Sequence, residues 1–76
     1  MASIGDTERT ALKIRLNEAP VAASIAVLSE IDPDGAWSES DAPETLRERA
    51  HEILCWGVID ECVTYEMACA MAEGRS

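Results

Sequence analysis

The stretch Val58-Ile59-Asp60-Glu61-Cys62-Val63-Thr64-Tyr65-Glu66-Met67-Ala68-Cys69-Ala70-Met71-Ala72 carries most of the fold information in this chain. Val58, Cys62, Tyr65, Cys69 and Ala72 recur at intervals of four, three, four and three residues, which is the period of an α-helix. A second row, Trp56, Ile59, Val63, Met67 and Ala70, runs beside the first. At about 100° per residue the two rows span an arc of roughly 200°, wider than one packing contact needs. A helix of this kind is the centre of a small bundle or is shared between a core and a partner.

Residues 42 to 73 have continuous helical propensity, but one straight helix of that length would measure ~48 Å. A compact domain of this size is only about 30 Å across. The apolar face also moves, from Leu46, Ala50, Ile53 and Leu54 to a face centred near Cys62 and Cys69. A break near Trp56-Gly57 resolves both conflicts. Asp41-Ala42-Pro43-Glu44 reads as a capping box at the start of this region, with Asp41 as N-cap and Glu44 reaching back. Before it, residues 32–41 form an acidic loop: Asp32, Asp34, Glu39 and Asp41, with no base, surround a single Trp37. Asp32-Pro33-Asp34-Gly35 is a turn signal, since Pro fixes φ, Asp bonds its own backbone and Gly accepts positive φ.

Two further helices are expected upstream. Pro20 suits the first turn of a helix, and Val21, Ile25, Leu28 and Ile31 mark one face of it. Asp6 or Thr7 can cap the first helix. Leu12-Lys13-Ile14-Arg15-Leu16 is ambiguous, because its strict alternation also suits a strand. No second strand pattern is present to pair with it, so helix is favoured. The expected fold is all-α: a small bundle of three to four short helices, about 7–17, 20–31, 42–56 and 58–73, in one domain.

Composition agrees. With 76 residues, 47% of them hydrophobic, no Phe and only Trp37, Trp56 and Tyr65 as aromatics, the core must be Ala, Val, Ile, Leu, Cys and Met. That composition favours close helix packing over a sheet. Fifteen acids against six bases give a net charge of −9, which opposes direct binding to nucleic acid or to an anionic membrane. A protein with a basic surface is the better electrostatic partner; acidity that serves only solubility is the alternative. The first residues show no secretory signal, no apolar run approaches a membrane span, and three cysteines do not form a disulfide framework. A cytoplasmic location is expected, or the host cytoplasm if the gene is phage-borne.

Candidate chemistry is sparse. Cys55, Cys62 and Cys69 fall seven residues apart, ~10.5 Å along a straight helix, too far to share a zinc ion whose ligands lie within ~2.3 Å. His51-Glu52-Ile53-Leu54-Cys55 lacks the second His of a zinc-protease helix. No metal, cofactor or enzymatic activity is therefore expected. Glu44, Glu48 and Glu52 instead project from one helix face at ~6 Å intervals, near the spacing of phosphates along a nucleic-acid strand, with Arg47 and Arg49 interleaved. Asp32, Asp34, Glu39, Asp41, Glu44, Glu48 and Glu52 are thus the expected contact surface for a basic partner. Trp37 serves it as an anchor or else caps the core. The wide arc of the last helix, with Val58, Ile59, Cys62, Val63, Met67 and Ala70, is the expected homodimer interface. In size and charge the chain resembles phage-borne inhibitors of bacterial defence, including anti-CRISPR proteins. The resemblance implies an inhibitor of a nucleic-acid-binding partner and carries over no site.

Overall fold

The computed structural model describes residues 4–31 and 42–74, and among these the chain forms four α-helices and no strand. They are α1 (Asp6–Glu18), α2 (Val21–Ile31), α3 (Pro43–Ile59) and α4 (Tyr65–Ala72). No described helix is long and apolar enough to cross a membrane. Every helix touches the other three, and α3 is the central element because its contacts, chiefly with α2 and α1, are the most extensive.

Each helix buries a narrow stripe of Leu, Val or Ala. In α1, Leu12 and Leu16 are fully buried while Ile14 is half exposed, so helical period decides the ambiguous 12–16 stretch. α2 buries Ala23, Ser24, Val27 and Leu28 most deeply, with Val21, Ile25 and Ile31 partly buried at the margins of the core. That face is rotated from the expected one, and the chain just after α4 lies close to it: a Cβ on Gly74 would sit 3.3 Å from the Ala23 Cβ. Leu46, Ala50, Leu54, Cys55 and Val58 of α3 and Ala68 and Ala72 of α4 complete the core. The two alanines let α4 approach closely without aromatic filling.

The helix starts differ from expectation by a residue or two. Gly5, not Asp6 or Thr7, is the N-cap of α1, and its N–H donates to Glu8 Oε1 at 3.2 Å. Pro20 immediately precedes α2, where its carbonyl accepts from the Ala23 amide at 3.0 Å. The N-cap of α3 is not the expected Asp41. Ala42 is the N-cap, without a side-chain acceptor, and Pro43 opens the helix with its preset φ. Asp41 itself lies outside the described residues.

The larger correction concerns the break. α3 runs through Trp56-Gly57 to Ile59, and the chain turns at residues 60–64. The Glu61 N–H donates to the Val58 carbonyl at 3.1 Å and the Cys62 N–H to the Gly57 carbonyl at 2.8 Å. This is a Schellman motif, whose left-handed position is usually glycine and here is Glu61, at φ 63°. Thr64 then restarts the helix, its side-chain oxygen accepting from the Met67 N–H at 3.1 Å. Gly57 is no breaker: a Cβ there would meet Val63 Cγ2 at 3.1 Å, so its small size lets the returning chain close onto α3. The longest extent of the molecule is 35 Å, which a ~25 Å α3 fits and an unbroken ~48 Å helix would not.

Candidate partner-binding surface

α3 presents its polar face outward because Leu46, Ala50 and Leu54 hold the opposite side in the core. Glu44, Glu48 and Glu52 are accordingly all exposed along one ridge. The two interleaved arginines behave differently. Arg47 turns back onto the end of α1, where Nε donates to the Leu16 carbonyl at 3.2 Å and Nη2 to the Ala19 carbonyl at 3.1 Å. Carbonyls at a helix C-terminus lack intrahelical donors and carry the negative end of the dipole, so a guanidinium is a fitting cap. Arg49 stays at the surface, with Nη1 3.6 Å from Glu52 Oε2, an exposed pair of small energetic consequence. Beside the ridge, Lys13 and Asn17 of α1 share a shallow groove with Glu44, Arg47, Glu48 and His51.

Asp32, Asp34, Trp37, Glu39 and Asp41 lie outside the described residues. Of the expected acidic surface, the structure therefore brings together Glu44, Glu48 and Glu52. It adds one residue that apolar spacing assigns to a buried row: Trp56, one turn after Glu52, is 57% exposed. A helix-spacing signal for it exists, since Glu44, Glu48, Glu52, Trp56 and Asp60 are each four apart. It is masked because Trp56 also fits the row that ends in Met67 and Ala70.

The residues expected to form a homodimer interface do not share a helix. Val58 and Ile59 end α3, Cys62 and Val63 lie in the connection, and Met67 and Ala70 belong to α4. Val58 is buried, Ile59, Val63 and Ala70 are half-buried, and Cys62 and Met67 are exposed. The turn at residues 60–64 divides the 200° arc between two helices, so no single described helix carries an uncovered apolar face of that width. Among the described residues, the exposed large apolar side chains, Ile14, Trp56 and Met67, sit on three different helices. Glu66, which falls inside the arc and is expected at the rim of such an interface or paired with Arg75 of the opposite chain, is exposed on α4; Arg75 lies outside the described residues.

His51 and Cys55 stand one turn apart, with Nε2 3.7 Å from Sγ, a spacing that invites comparison with a Cys–His nucleophile. The geometry argues against it. His51 Nε2 also lies 2.8 Å from the Arg9 carbonyl oxygen, which can only accept, so Nε2 carries the proton and donates. A nitrogen so occupied has no lone pair for the thiol proton. Burial pushes the Cys55 thiol up from its ordinary range, against a smaller opposing pull from Arg9, so it is held as the poorly nucleophilic neutral form. His51 is a tether between α3 and α1. Among the described residues no three His, Cys, Asp or Glu side chains are placed to hold a metal ion, and the three thiols are free.

No protein-family model, curated protein or solved structure matches this chain.

Proposed function

We propose that the protein is a non-enzymatic acidic binding protein that inhibits or regulates a partner with a basic, nucleic-acid-binding surface, using Glu44, Glu48 and Glu52 as the electrostatic contact. One observation carries this reading. Arg47, which interrupts the acidic row in the sequence, is withdrawn from it to the Leu16 and Ala19 carbonyls. Its guanidinium donors are thereby engaged within the fold and do not pair with the carboxylates of the ridge, although Arg47 and Lys13 still line the groove beside Glu44 and Glu48. Carboxylates one helical turn apart repeat at ~6 Å, a spacing that a Lys/Arg-lined groove built for phosphates accommodates. The net charge of −9 adds a long-range field that steers such a partner toward the ridge and repels nucleic acid itself. Size and charge extend the reading to phage-type inhibitors of bacterial defence, such as anti-CRISPR proteins, acting in the host cytoplasm.

The test is affinity capture at low and high salt, with the wild type and with a Glu44→Gln, Glu48→Gln, Glu52→Gln triple variant. The captured protein should carry a basic groove, release steeply as salt rises, be displaced by the nucleic acid it binds, and bind the variant poorly. Capture that is indifferent to both salt and the three substitutions overturns the reading.

A further inference from the structure

The exposed row on α3 extends past its carboxylates. Glu52, Trp56 and Asp60 succeed one another at four-residue intervals, so the indole is bracketed by two acids about 12 Å apart along the helix. Beside the indole runs a shallow groove lined by the apolar Ile31, Ile53, Gly57 and Cys62 together with Arg49, Glu52 and Asp60. Leaving a tryptophan more than half exposed forgoes one of the largest burials available to a core this short of aromatics.

The ends of the groove differ electrically. At the Glu52 end, Arg49 approaches the carboxylate at 3.6 Å and offsets part of its charge. At the other end, Asp60 is the C-cap of α3, so its carboxylate adds to the negative end of the helix dipole, and Glu61 is next in sequence. A cation is therefore better stabilised beside Asp60 than beside Glu52. An aromatic face next to that position adds to the attraction for a guanidinium or ammonium group.

We infer that the Trp56 groove seats a bulky aliphatic side chain of the partner, held between basic residues one helical turn to either side, with the basic residue at the Asp60 end making the stronger contact. The inference deepens the proposed function, since it rests on the partner's being basic. It adds that charge alone does not define that partner. A polyanion mimic needs only cations opposite it, whereas this surface asks for an amphipathic basic helix with an apolar residue at its centre. Leu, Ile and Met are the aliphatic side chains that such an apolar lining suits. The contact must also be less sensitive to salt than a purely ionic one, because apolar burial is not screened.

Two synthetic helical peptides of equal positive charge test this, one with Leu at the centre and Lys or Arg four residues before and after it, the other with Gln replacing the Leu. The protein carries Trp37→Phe, so Trp56 is its only indole, and its emission is read during titration. The Leu peptide should bind about tenfold more tightly than the Gln peptide and shift Trp56 emission to the blue. Trp56→Ala should remove the tenfold preference, read by calorimetry, and Asp60→Asn should weaken both peptides more than Glu52→Gln does. Equal binding of the two peptides without a spectral shift overturns the apolar seat and leaves the basic-partner reading standing. Binding of neither peptide overturns both. Preference for Leu that survives Trp56→Ala overturns the assignment of the seat to this groove.

Discussion

Replacing Glu61 with glycine should stabilise the protein relative to replacing it with alanine, although Glu61 is a surface residue with interactions of its own. Its φ of 63° places it in the left-handed region, where contact between Cβ and the following carbonyl costs a non-glycine residue ~1–2 kcal/mol. Glycine removes that contact but regains roughly 0.5–1 kcal/mol of backbone freedom in the unfolded chain, which offsets part of the gain. The expected net advantage of glycine over alanine at this position is roughly 0.5–1 kcal/mol. Alanine is the necessary reference, because Glu61→Ala removes the carboxylate and its contacts while keeping the strained φ. For a domain of this size the difference corresponds to a midpoint shift of about 2–8 °C. Urea unfolding monitored by circular dichroism, with the wild type and both variants fitted to a common slope, measures it. The Schellman turn at residues 57–62 requires Glu61→Gly to be more stable than Glu61→Ala, wherever the wild type falls between or beside them. A Glu61→Gly protein no more stable than the Glu61→Ala protein would refute the left-handed assignment, and with it the account of where α3 ends.

Arg47→Met should lower stability by about 2 kcal/mol, because two charge-assisted hydrogen bonds to carbonyls beyond the reach of α1's own donors are lost in a half-buried site. Arg47→Lys should recover little in the same urea assay, since an ammonium does not span both oxygens as the guanidinium fork does. Ser24→Ala should stabilise by about 1 kcal/mol, because Ser24 Oγ is fully buried with no hydrogen-bond partner among the described residues; a loss in thermal unfolding would mean that it has one. For the thiols, a disulfide reagent at mildly alkaline pH should modify Cys62 first, Cys69 next and Cys55 only as the protein opens. Since the folded state holds the Cys55 proton more tightly than the unfolded chain does, its contribution is fully present below the ordinary thiol value of 9.0 and is lost as pH rises beyond it. Cys55→Ala should flatten the alkaline decline of stability, and an unchanged decline would show that Cys55 is not its source.

Helical period was enough to give the all-α class and most of the core. It places Leu12, Leu16, Leu46, Ala50 and Leu54 inside, because a helix that buries one stripe must repeat its apolar residues every three or four positions. It also puts Glu44, Glu48 and Glu52 on one face, a property of helix geometry that needs no partner element. Other features depend on how the helices pack. Gly57 looks like a helix break until Val63 is seen to pack against it, and the true turn is hidden because its left-handed position holds Glu61 instead of glycine. Thr64 as an N-cap is the one local signal of that turn, weak beside the strong apolar period running through it. Arg47's departure from the acidic row depends on carbonyls 28 and 31 residues away, and no local pattern encodes a contact at that separation. Trp56 illustrates the same limit: its spacing fits both the apolar row and the acidic ridge, and only the packing of α3 against its three neighbours turns the indole outward.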